Sequence, residues 1–83
     1  MSYTPELVAE LEILALYNLA NTQEGLKVHH HVAAPSAIAA AQRLFEKGLT
    51  DQVDGGYLTS LGHEAAEHAQ ALLTILNVSS KAA

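Results

Sequence analysis

Two neighbouring runs leave few folds open to this chain: Arg43-Leu44-Phe45-Glu46-Lys47-Gly48-Leu49-Thr50, then Asp54-Gly55-Gly56-Tyr57-Leu58-Thr59-Ser60-Leu61-Gly62. The first reads as a helix that stops at Gly48, since glycine accepts the left-handed conformation that ends a helix. Asp54-Gly55-Gly56 supplies the positive-φ positions of a tight hairpin. Thr59 or Ser60 then caps another helix.

At 83 residues the chain is one domain with a high share of its surface exposed, so extra burial in a dimer would help it. Apolar residues make up 49% but only three Tyr and one Phe are aromatic, so the core must come from Ala, Leu, Ile and Val. That suits closely packed helices, and a mainly α fold is expected. Nine acidic residues against four Lys plus Arg give a net charge of −5, which argues against a nucleic-acid binder held by overall charge while leaving a local basic patch open. Five histidines would offset much of that charge on protonation near their ordinary pKa of about 6.5. The absence of cysteine removes disulfides, thiolate catalysis and Cys-based zinc sites. No basic leader opens the chain and no apolar run approaches the roughly 20 residues that span a bilayer. A soluble cytoplasmic protein without a membrane partner is expected.

Thr4-Pro5-Glu6 is a helix start, with a capping hydroxyl, a proline at the first helical position and a carboxylate near the positive end of the dipole. The first helix is expected over residues 5 to about 19, with Leu7, Leu11 and Leu14 on its core stripe. Residues 13–17 are apolar on almost every side, which implies deep burial or a partner. Ile13, Leu16, Tyr17 and, near the other end of the chain, Ile75 are therefore the expected dimer face. Residues 22–32 read as a short helix in preference to a short strand. A helix over residues 35–47 follows, with Ala37, Ile38, Ala41, Leu44 and Phe45 inward and Ser36, Ala40, Arg43 and Lys47 outward; Ala39, Gln42 and Glu46 lie alongside the outward stripe. Strands are expected over 49–53 and 57–59. A last helix over 60–76 should bury Leu61, Ala65, Ala69, Leu72, Leu73 and Leu76, with Ile75 off that stripe. Residues 1–78 form the domain and 79–83 a frayed tail.

The run from residue 33 to about 66 resembles the winged helix-turn-helix regulators of the multiple-antibiotic-resistance-regulator type. Arg43-Leu44-Phe45-Glu46-Lys47-Gly48-Leu49 stands where they carry R-L-x-x-K-G-L before the wing. Gly56-Tyr57-Leu58-Thr59-Ser60-Leu61-Gly62 stands for G-x-Y-x-L-T-x-x-G after it, one residue shorter between Tyr57 and Leu58. The resemblance implies a winged helix of three to four helices plus a two-stranded wing. Ser36, Ala39, Ala40 and Arg43 would face the major groove of double-stranded DNA, and residues 53–57 would form the wing tip. Over nearly its full length, including Thr4-Pro5-Glu6-Leu7, Thr22-Gln23-Glu24-Gly25 and residues 65–70, the chain also looks like a family of short bacterial proteins of undetermined function.

Arg43 suits a bidentate contact to guanine and Gln42 a contact to adenine, each worth about 1–3 kcal/mol of discrimination. Lys47 is the other cation of that helix. The plainer reading makes Arg43 and Gln42 solvated residues paired with Glu46. Asp51 and Asp54 give the wing the wrong sign for phosphate. His29, His30 and His31 point in different directions on a helix and form no three-ligand site by adjacency, so no metal is expected. His63 and His68 stand at i,i+5, which turns them off the shared face that an i,i+4 histidine pair needs for zinc. His63 with Glu67, and Glu64 with His68, are instead i,i+4 neighbours. No nucleophile elbow or phosphate-cradling loop is present, so neither catalysis nor a cofactor is expected. The leading expectation is a DNA-binding or transcription-associated module, with Ser36, Ala39, Ala40, Gln42, Arg43 and Lys47 as its site. The alternative is a protein-interaction module that keeps the fold without binding DNA. Either reading accommodates a homodimer.

Overall fold

A computed structural model of the chain describes residues 3–21, 24–27 and 34–78. These form α1 (Pro5–Leu14), β1 (Leu26–Lys27), α2 (Pro35–Glu46), β2 (Thr50–Gln52), β3 (Gly55–Leu58) and α3 (Ser60–Leu76). The fold is mainly α, with an antiparallel hairpin between the second and third helices in a winged-helix-like arrangement. α1 lies across α2 and also reaches α3, and the core forms where they meet. It consists of Ile13, Leu14, Tyr17, Ala40, Ala41, Leu44, Ala66 and Ala69, half of it alanine.

α1 begins as expected: the Thr4 hydroxyl accepts a hydrogen bond from the Leu7 amide (3.1 Å) and Pro5 opens the first turn. It ends at Leu14, five residues before the expected limit of about 19. The Leu16 and Tyr17 amides fall back to carbonyls three residues earlier, tightening the last turn, and Asn18 Oδ1 accepts from the Ala20 amide to bend the chain away. Gln70 of α3 secures this exit by donating to the carbonyls of Leu14 (3.2 Å) and Tyr17 (2.7 Å). The Tyr17 hydroxyl is buried and has no hydrogen-bond partner among the described residues. Burial, reinforced by the Asp51 charge, pushes its pKa up to about 12.

A helix is preferred on sequence for residues 22–32, but Leu26 and Lys27 form a strand; residues 22–23 and 28–32 lie outside the described set. Leu26 pairs with Gly56 and Lys27 with Gly55, so β1 covers the open edge of β3 in a sheet of order β1-β3-β2. Non-local pairing here overrides local propensity. The hairpin turns at Val53 and Asp54, and Gly55 and Gly56 fall inside β3 rather than at the tip. From Thr50↔Leu58 to Gln52↔Gly55 the register loses a residue, a bulge on β3 in which Gly56 has φ +74°. Asp51 Oδ1 accepts the Tyr57 amide there (2.8 Å), and it occupies the space a Cβ on Gly56 would need.

α2 ends in a Schellman motif around Gly48 (φ +81°), with the Gly48 amide bonded to Phe45 O and the Leu49 amide to Leu44 O. Phe45, expected inside, is exposed, and Ala40, expected outside, is in the core. Thr59 joins the end of α2 to the start of α3. Its hydroxyl donates to Gly48 O (2.6 Å) and accepts from the Gly62 amide (3.1 Å), while its own amide bonds Leu49 O (3.1 Å). Gly62 packs so closely on this strand entry that a Cβ would lie 1.8 Å from Leu49 O. The contact fixes the rotation of α3. Gly62, Ala66 and Ala69 turn inward, while Leu61, Leu72 and Leu76, expected in the core, point out. Residues 79–83, read as a frayed tail, lie outside the described set.

Gly62→Ala should destabilise the fold by about 3 kcal/mol or more because the clash is with backbone. Gly48→Ala, which meets open space and only a strained φ, should cost about 1–2 kcal/mol. Chemical denaturation of both variants checks the order, and equal losses would remove the close approach as the reason for Gly62.

Candidate functional site

Arg43 in the last turn of α2 and Lys47 at its C-cap stand one turn apart, and both turn toward α1. Glu10 meets them there with a side chain only 7% exposed. Its Oε2 accepts from Arg43 Nε at 2.8 Å and its Oε1 accepts from Lys47 Nζ. Arg43 Nη2 also donates to the Glu6 carbonyl (3.0 Å), so the guanidinium holds a side chain and a backbone group of α1 together. Burial alone would raise the Glu10 pKa; the hydrogen bonds from Arg43 and Lys47, and then their charges, outweigh it and hold the carboxyl below its ordinary value.

The six residues expected to read DNA thus do not share one open face. Ser36 and Gln42 are exposed, and Gln42 lies 3.5 Å from Glu46. Ala39 is half-buried, whereas Ala40 has no exposed surface at all. Arg43 and Lys47 are occupied by Glu10, and the chain has only four Lys plus Arg in total. The hairpin adds the exposed Asp51 and the partly covered Asp54. Alanines misled the sequence reading, because a methyl group fits a core or a surface equally well and α2 carries four of them.

The expected dimer face divides as well. Ile13 and Tyr17 are core residues, whereas Leu16 and Ile75 are each 67% exposed. Beside Leu16 lies an open groove of about 590 Å³, lined by α1, the start of α2 and Leu73 of α3, with Glu12 and Ser36 its polar lining residues among those described. Next to it the last turns of α3 stand in solvent, with Leu72, Ile75 and Leu76 exposed, as is Val78 just past the helix end. A second apolar groove of about 250 Å³ flanks the other side of α1, between Tyr3, Leu7 and Leu49. The sequence reading missed this breadth by assigning Leu72, Leu73 and Leu76 to the core. The signal was present in the stretch from 69 to 78, which has no charged residue on any side.

His63 Nδ1 lies 3.5 Å from Glu67 Oε1, the i,i+4 pairing the spacing suggests. Among the described residues no group of three His, Asp or Glu side chains could hold a metal ion; His29, His30 and His31 lie outside them. No described helix is long and apolar enough to cross a membrane.

Because the folded Glu10 pKa lies below its unfolded value, its contribution to stability is present above the unfolded pKa and is lost as pH falls through the folded one. Glu10→Gln should cost about 1–2 kcal/mol at neutral pH, the scale of charge-assisted hydrogen bonds to partly exposed cations. It should also flatten the acid limb of the stability–pH curve below the ordinary carboxyl value of 4.5. Urea titrations of both proteins from neutral to acid pH check this, and parallel acid limbs would show that another carboxylate governs it.

No curated protein and no solved structure matches the chain. A family model matches residues 1–77, nearly the whole length. On that match the chain belongs to DUF5669, a family of unknown function.

Proposed function

We propose that this protein is a non-catalytic protein-interaction module on a winged-helix-like scaffold, docking its partner on the apolar face shared by α1 and the end of α3. One observation carries the reading: the cations of α2 are committed to Glu10, while the uncharged end of α3 is left open beside an apolar groove.

Magnitudes favour it over groove reading. To contact a guanine, Arg43 would have to leave the nearly buried Glu10 carboxylate, at a cost of about 1–3 kcal/mol. A good bidentate base contact returns about 1–3 kcal/mol, so little is gained. The acidic wing would meet phosphate with like charge, and two of the four cations are already occupied. Catalysis needs several convergent polar groups in a pocket, and among the described residues the main groove offers Glu12 and Ser36 alone.

The test is a photo-crosslinking residue at position 76, compared with one at the exposed position 64, in cells that make the protein. A discrete protein adduct from 76 and none from 64 is expected. Absence of any protein adduct, together with salt-sensitive binding to genomic DNA fragments that Arg43→Ala abolishes, would overturn the reading in favour of a DNA-binding module.

A further inference from the structure

The partner that this apolar face fits best is a second copy of the chain. We infer an isologous dimer in which the end of α3 from each protomer seats in the α1 groove of the other; the inference rests on the interaction reading above.

The knob and the hole are neighbours on one molecule. Leu73 lines the groove, and Ile75 and Leu76 at the end of the same helix and Val78 just past it, each about two-thirds exposed, project beside it. A twofold axis near Leu73 therefore places each knob at the other's groove and forms both contacts at once. The groove wall includes Ala9, Ala15, Ala34 and Ala37, whose small side chains let a helix bearing Leu and Ile approach closely.

The area agrees with a dimer. At about 120 Å² of apolar surface per fully exposed aliphatic side chain, the exposed aliphatic residues of the groove and of 72–78 amount to about 500 Å² per chain. A standard interface takes about 800 Å² from each partner, and homodimer interfaces are about 65% apolar, or about 520 Å².

Charge limits where two copies can meet. Each chain carries −5, so two copies repel at a distance and can meet only where no like charges are brought together. Residues 68–78 hold no Asp, Glu, Lys or Arg, and among the described residues Glu12 is the one charged residue that lines the groove. A partner recognised by charge would use the acidic surface elsewhere.

Light scattering and sedimentation of the purified full chain from about 1 to about 100 μM should show a mass twice 8.8 kDa. Leu76→Glu on the knob and Leu16→Lys in the groove should each raise the dimer Kd at least about 100-fold, since every dimer then buries two unpaired charges. Circular dichroism should stay that of the wild type, because both side chains are exposed, and Ile75→Glu gives a second report on the knob. Mixing the two variants should restore a dimer, with one contact a Glu–Lys pair and the other native. A wild-type monomer at the highest concentration, a dimer indifferent to Leu76→Glu, or mixing without rescue would overturn the proposal. If the wild type is monomeric while position 76 still crosslinks to a different protein, self-pairing fails and the interaction reading stands. If the wild type is monomeric, position 76 captures nothing and genomic DNA fragments are bound through Arg43, both fail.

Discussion

One carboxylate, that of Glu10, sets the relation between the first two helices and, through it, what the surface can do. An almost buried carboxylate is tolerable only when its charge is matched and its lone pairs are filled. Arg43 and Lys47 supply both, at the i,i+4 spacing that brings two side chains to one face of α2. Arg43 adds the Glu6 carbonyl, so α1 is held by side chain and backbone together. The same bonds tie half of the few cations this acidic chain possesses to one carboxylate, although both side chains stay partly exposed.

A second constraint lies at the junction of α2, the hairpin and α3, where Gly48, Thr59 and Gly62 meet within hydrogen-bond distance. These residues carry much of the resemblance to winged-helix regulators, and here each has a structural task. Gly48 closes a Schellman motif, Thr59 bridges two helix ends, and Gly62 lets α3 touch the Leu49 carbonyl. Asp51, read from sequence as a misplaced wing charge, holds the bulge by accepting the Tyr57 amide. A motif made of such residues speaks for the scaffold and is silent about its ligand.

The rotation that Gly62 imposes on α3 has a consequence at the helix's far end. With Ala66 and Ala69 inward, the larger side chains of the last turns cannot reach the small alanine-rich core. They remain beside the groove along α1 as a continuous apolar face. In a small domain such a face is costly to leave wet, and a second copy can cover it without bringing like charges together.

The amino-acid sequence by itself determined the local events: the Thr4–Pro5 start of α1, the Gly48 stop, the Thr59 cap, the near-complete spans of α2 and α3, and the hairpin between them. Each depends on the conformational preferences of a few adjacent residues, so it is legible without knowing what lies across the molecule. Tertiary structure alone decided which faces those elements bury. Alanine gave no inward or outward signal, so the inversion of Ala40 and Phe45 and the turning out of Leu72 and Leu76 had to await the contact of Gly62 with Leu49 and the packing of α1. The strand at Leu26–Lys27 needed the open edge of β3, 28 residues away in Lys27↔Gly55. The pairing of Arg43 with Glu10, 33 positions apart, likewise depends on two helices meeting, and it places against α1 a side chain that the sequence alone leaves pointing outward.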